Sequence, residues 1–341
     1  MIKRLRNLVV VLSLALTAAC SEPGRVQTFE GFAQGTTYHI SFWAPKQVDL
    51  PALRQAVGDE LARIDKAMSG YRQDSAIEQF NAVQDLVPHT TGGDIVALVK
   101  QARNVSQASE GCYDLTIKPL FDLWGFGDNR FSPPASSAIS QTLAVTGMDK
   151  VEPVGDDALR KTLAGIQLDL SSIGQGYSVG RVAGVLEQQG IQNYLTEIGG
   201  ELQTRGRKPD GQPWRVAIER PVPGERTIEK VITIDTAETM AVMTSGTYRH
   251  YFDADGKRYS HILDARTGRP VEHDTLSVTV LYPEPAAADA WSTALLCLGR
   301  DQGLKVANDQ GIPALFIDQA GDQLTEVYSE ALLDLQAVHI E

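Results

Sequence analysis

The stretch from residue 214 to 282 constrains the fold most. "WRVAIERP", "VITIDTA", "MAVMTSGTYRHYFDADGKRYSHILDARTGRPV" and "LSVTVLYP" are strand-like runs that leave little room for a helix between them. Asp255-Gly256 stands between "YRHYF" and "KRYSHIL", and that dipeptide favours a tight hairpin turn. Consecutive hairpins require antiparallel sheet. Helical periodicity is gathered elsewhere. It covers 51–67, with Leu53, Val57, Leu61, Ile64 and Ala67 on one face, then about 92–109 and 137–146. It returns in "AAADAWSTALLCLG", which Gly299 stops. Asp74 or Ser75 caps a further helix that has Glu78 in its first turn. Helices and antiparallel strands segregated in this way define the α+β class.

One segment points the other way. "LDLSSIGQGYSVG" (168–180) places Gly174, Gly176 and Gly180 between an apolar run and a helical pattern, and Glu197 follows 23 positions after Gly174. This is nearly the layout of a nicotinamide-dinucleotide site. Only one such unit exists, and it lies mid-chain, so a doubly wound fold is excluded. The glycines have two open readings: backbone N–H groups approaching an anion at a helix N-terminus, or tight turns and helix packing.

A formal net charge of −12 over 341 residues excludes nucleic acid as a partner, because phosphate binding needs a concentrated basic surface. It also means that a bound diphosphate meets net repulsion unless a cation or local Lys/Arg offsets it.

Residues 1–19 read as a secretory signal, with Lys3, Arg4 and Arg6 before an apolar run from Leu8 to Leu16. "LTAAC" resembles a bacterial lipobox, with Leu16 one place further from the cysteine than usual. That implies cleavage before Cys20, a lipid anchor on its thiol and a periplasmic protein held at a membrane. Ser21 favours the outer membrane. Residues 20–30 read as a tether and 31–341 as the folded domain. An oxidising compartment permits a disulfide. Cys112 and Cys297 lie far apart in apolar or motif-rich stretches, and two buried thiols are the expectation.

Chemistry has several candidate seats. Asp289 and Thr293, four apart on a helix, share a face and form a hard-oxygen set suited to Mg²⁺. Equally, Asp289 can serve the helix dipole. His261, on a strand in a polar hairpin, is either an acid/base group or a hydrogen-bonded structural histidine. Tyr71, Tyr113 and Trp124 sit in loop-like motifs, as stacking surfaces for a heterocycle or as core anchors.

The order of these elements carries more than any one of them. "GTTY" (35–38), "MSGYRQDSAIEQFN" (68–81), "GCYDLTIKPLFDLWGFG" (111–127), "LDLSSIGQGYSVG", "YLTEIGGELQTRG" (194–206), "PWRVAIERP" (213–221), "TSGTYRHYF" (244–252), "RYSHILDARTGRP" (258–270) and "ADAWSTALLCLG" (288–299) follow one another collinearly. In this the chain resembles the ApbE family of FAD:protein FMN transferases. The resemblance implies antiparallel and mixed sheets with flanking helices and a flavin site between two lobes. It implies an Mg²⁺-dependent enzyme that moves FMN from FAD onto a Thr or Ser hydroxyl of an acceptor protein and releases AMP. The acceptor class it implies is a periplasmic electron-transfer or ion-pump subunit. By the same resemblance Gln34, Tyr71, Cys112, Tyr113, Asp114, Asp169, Gln175 and Ile262 would contact FAD. Asp289, Thr293 and a backbone oxygen near Ser172 would hold Mg²⁺, and His261 would be the catalytic histidine. Gln34, Gln175, Gly180 and Ala265 depart from the family's usual Met, Lys, Asp and Pro. The rival readings are an Mg²⁺-dependent FAD pyrophosphatase and a non-enzymatic flavin-binding lipoprotein.

Overall fold

The computed structural model describes residues 24–127, 130–224, 226–254 and 256–341. The signal, the lipobox, Cys20, Ser21 and Asp255 lie outside the described residues. Eight strands build the central sheet: β1 (Gln27–Ala33), β2 (Thr36–Trp43), β3 (Asn193–Ile198), β4 (Glu201–Arg205), β5 (Met240–Gly246), β6 (Thr275–Tyr282), β7 (Ala314–Ala320) and β8 (Gln323–Tyr328). Their order in the sheet is their order in the chain, and every neighbouring pair is antiparallel. Residues 27–30, read from sequence as tether, begin β1, with Phe29 buried against the core.

Alternation along the strands separates two cores. Ala241, Met243, Val278 and Val280 face a helical layer. Its main members are α1 (Leu50–Met68), α2 (Ala76–Ala82), α3 (Gly93–Ala108), α4 (Ser171–Gln188) and α5 (Pro285–Gln310). Met240, Val242 and Leu281 face the opposite way, onto a second sheet of Trp214–Glu219, Ile228–Ile234 and Val338–Ile340. A third cluster gathers Leu120, Trp124, Phe126, Ile139 and Leu263.

Local signals in the sequence account for the helix ends. Asp49 accepts from the Ala52 N–H at the start of α1, and Ser75 accepts from the Glu78 N–H at the start of α2. Gly299, at φ 70°, breaks α5 where the sequence places the stop, and the chain then resumes as helix. Tyr251–Ala254 and Lys257–Ser260 pair as a hairpin, with Ala254 opposite Lys257.

Three expectations change. Residues 168–170 form no strand, and the glycines lie inside α4, which starts at Ser171. A Cβ on Gly176 would come within 2.4 Å of the Pro285 carbonyl, and one on Gly180 within 3.2 Å of the Pro285 ring. Both are small so that α4 can approach α5. Glu197 binds His39, from Nδ1 at 2.6 Å, and takes no part in the cleft. Cys112 and Cys297 are not thiols: they form a disulfide, with Cα atoms 6.0 Å apart across 185 residues of chain. Packing of α5 against the loop at 109–114 brings them together, which no local pattern could foretell.

Candidate active site

A single cleft of about 1390 Å³ is lined by all twelve residues that the family resemblance nominates: Gln34, Tyr71, Cys112, Tyr113, Asp114, Asp169, Ser172, Gln175, His261, Ile262, Asp289 and Thr293; Trp124 is instead a core anchor. The volume exceeds that of ordinary small-ligand pockets and leaves room for a dinucleotide.

Backbone geometry aims several of these side chains. The β1–β2 hairpin turns at Gln34-Gly35 with positive φ at both residues, 52° and 77°. Gly35 adopts this freely, while Gln34 is held in a sparsely populated conformation at the cleft rim. The loop after α1 leaves Tyr71 90% exposed. Arg72 beside it is fixed by Asp65 and Asp74. A large ring standing in water beside a cleft is a surface ready for a planar partner.

Other nominated groups are tied into the frame. Tyr113 is buried, with its hydroxyl 3.3 Å from Ser172 Oγ. The Asp114 carboxylate accepts from the Thr116 N–H at 2.7 Å and the Met148 N–H at 2.9 Å, so it orders its own loop. Asp169 accepts from the Ser171 N–H at 2.7 Å, at the entrance to α4. The Gln175 amide donates to the Ile198 carbonyl at 2.7 Å and so joins α4 to β3. Ile262 is buried beside His261.

The floor of the cleft is acidic. Asp289 accepts from the Gly176 N–H at 2.8 Å, and Glu201 accepts from the Thr244 N–H at 3.0 Å. Both carboxyls are buried, and neither has a salt-bridge partner among the described residues. Burial raises both well above the carboxylate range, and Asp289 raises Glu201 further. Thr293 Oγ1 lies 2.9 Å from Ser245 Oγ, so a hydroxyl pair completes a hard-oxygen set. Buried carboxylates beside hydroxyls, without a cation of their own, fit Mg²⁺ by donor chemistry.

His261 has a defined tautomer. Its Nδ1 lies 2.8 Å from the His250 carbonyl. A carbonyl can only accept, so Nδ1 carries the proton and Nε2 keeps its lone pair. Burial pushes this imidazole down to about 4, with His250 adding to the shift. It is therefore neutral and able to accept a proton at neutral pH.

Sequence reasoning missed Glu201, Ser245 and the Glu219–Arg249 ion pair, all of which line the cleft. The one signal for Glu201 is its place directly after Gly199-Gly200, at the start of the strand Glu201–Arg205. A second acid, Asp264, brings its carboxylate within 4.8 Å of both disulfide sulfurs. Bonded sulfurs offer no thiolate, and Arg266 holds that carboxylate at 2.8 Å, so no metal site results.

An α+β frame whose large cleft gathers hard-oxygen donors and a buried, neutral histidine defines a class: a phosphate-handling protein with room for a dinucleotide. The comparisons narrow it. The ApbE family model matches residues 34–316. An FAD:protein FMN transferase of Vibrio cholerae is 37% identical over 331 residues, 96% of this chain and 98% of that protein. The solved flavin transferase ApbE from Vibrio cholerae superposes with a TM-score of 0.82 at 35% identity, over 91% of this chain and 99% of that one. The apo flavinyl transferase ApbE of Pseudomonas stutzeri gives 0.83 at 39% identity, over 91% and 96%. The chain belongs to the ApbE family.

Proposed function

We propose that this chain transfers FMN from FAD to a Thr or Ser hydroxyl of an acceptor protein, forming a phosphoester and releasing AMP. The observation that carries the reading is the floor of the cleft, where two buried carboxyls without a cation face the same space as a neutral histidine. Family membership supplies the identity of the dinucleotide.

Asp289, Thr293 and a backbone oxygen near Ser172 would hold magnesium, with Glu201 close by. Magnesium supplies charge neutralisation and Lewis acidity at the diphosphate. The chain's own residues do the rest. Tyr71 and Tyr113 offer ring surface and edge to the flavin, and the frame that binds Gln175, Asp169 and Asp114 keeps the pocket shaped before ligand arrives. His261 Nε2 takes the acceptor's proton. The hydroxyl oxygen bonds to the FMN phosphorus, and the bond from that phosphorus to the bridging oxygen breaks, so AMP leaves with that oxygen. Positioning and electrostatics account for the rate, as expected for phosphoryl chemistry.

The N-terminal sequence supports a lipid-anchored periplasmic enzyme, whose acceptor would be an electron-transfer or ion-pump subunit. The test is the purified mature chain with FAD, Mg²⁺ and a candidate acceptor, followed by intact mass. An FMN adduct on a Thr or Ser of the acceptor, with one AMP per adduct, is expected. Rapid release of free FMN and AMP, unchanged by any acceptor, overturns transfer in favour of the pyrophosphatase.

A further inference from the structure

The acceptor must bring one hydroxyl to His261, and the cleft wall contains a feature suited to guiding it. The second sheet runs Val338–Ile340, Ile228–Ile234, Trp214–Glu219, so Trp214–Glu219 is an edge strand. Among the described residues no strand pairs with its outer side. Ala217, Ile218 and Glu219 nevertheless line the cleft together with His261 and Asp289.

One other sheet edge reaches this space, at Leu263, but its ladder of Leu263–Asp264 with Arg269–Pro270 is two residues long, too short to set the register of an added segment. β1 and β8 bound the central sheet and contribute no cleft residue, nor does the hairpin of Tyr251–Ala254 and Lys257–Ser260. β2, β4 and β5 do line the cleft, but each is paired on both sides. Trp214–Glu219 is also rigid where it matters. Trp214, Val216 and Ile218 are buried, while Ala217 between them is exposed and small. The register with Ile228–Ile234 shifts between Ile218 and Glu219, a local irregularity of the kind that re-aims a strand beside a site. Glu219 pairs with Arg249, whose neighbour His250 gives the carbonyl that holds His261. The end of the edge is thus tied to the base.

We propose that the acceptor enters as an extended segment added to the outer edge of Trp214–Glu219, so that main-chain hydrogen bonds set the register that delivers its Thr to His261. The proposal rests on the transfer reading above. Strand addition supplies affinity through groups that every sequence has, and leaves specificity to alternate side chains. It also orders the hydroxyl before reaction, where orientation has the largest effect on rate.

The full mature chain is given FAD, Mg²⁺ and a random-sequence peptide library with a central Thr. A peptide that becomes flavinylated is then remade with single N-methyl amides along its length. The expected result is a period of two: methylation at alternate amides lowers kcat/KM roughly tenfold, the loss of about one hydrogen bond each, and the amides between them are tolerated. A flavinylated peptide that is indifferent to N-methylation throughout overturns strand addition and leaves transfer standing. Free FMN and AMP with no peptide labelled overturns transfer itself, and strand addition with it.

Discussion

Asp289 and His261 have protonation states set by burial, and each gives a measurable consequence. Asp289 is pushed up to about 7 by burial. A folded value raised above the unfolded one gives a stabilising contribution that is complete below the ordinary carboxylate range and is lost as pH rises through about 7. Asp289→Asn, neutral at any pH, should raise the Tm of the metal-free protein more at pH 8 than at pH 5. It should also abolish the stabilisation by Mg²⁺. Equal Tm shifts at both pH values in a thermal scan contradict this. His261 has the opposite sign: its depressed value makes it neutral when folded, so its contribution is present above 6.5 and is lost as pH falls to about 4. His261→Ala should lower the transfer rate by roughly 10²–10⁴-fold, the usual weight of a general base. FAD titration should show affinity nearly intact. Comparable losses in rate and affinity would make His261 a structural residue. At this scale the sequence was informative where motif order could be matched, as with His261, Asp289 and Thr293. It was silent on Glu201, because that carboxyl is buried only once Thr244 arrives from a strand far along the chain.

At the scale of elements, α4 shows how one composition serves two purposes. Glycines after an apolar run read equally as an anion-binding turn or as a helix face. Only the contact with α5 decides, and that contact is tertiary. Gly176→Ala forces a Cβ to 2.4 Å from the Pro285 carbonyl and 2.6 Å from Asp289 Cβ. Overpacking of this kind costs about 1–3 kcal/mol. Because the Gly176 N–H also holds Asp289, the variant should respond to Mg²⁺ less strongly than wild type. Gly184, in the same helix, has open space around the missing Cβ. Gly184→Ala should therefore stabilise by roughly 0.5–1 kcal/mol, the helix-interior cost of glycine. Denaturant unfolding of the pair checks both, and destabilisation by Gly184→Ala would show that α4 tolerates no added side chain. The hairpins and helix caps were readable at this scale because a turn dipeptide or a Ser N-cap acts within four residues.

For the whole molecule, the α+β class followed from antiparallel runs gathered in one region, whereas the disulfide was hidden because it joins positions that only the finished fold brings together. It links the loop carrying Tyr113 to the helix carrying Asp289 and Thr293. Removing a crosslink over so long a loop costs about 2–5 kcal/mol. Reductant should lower the Tm of wild type and leave a Cys112→Ala/Cys297→Ala double variant, already lower, unmoved. An equal response of both to reductant refutes the assignment. The sheet's ordering has a consequence for how the chain assembles. Strands whose order in the sheet is their order in the chain can dock in turn as the chain emerges, each finding its predecessor in place. The longest interruption is the step from β2 to β3, where residues 44–192 intervene. Those residues include α1, α3 and α4, whose apolar faces await a sheet that is still only a hairpin. Until Asn193–Ile198 joins β2, those faces have only a two-stranded hairpin to cover them, and a partner that shields apolar surface has the most to do there.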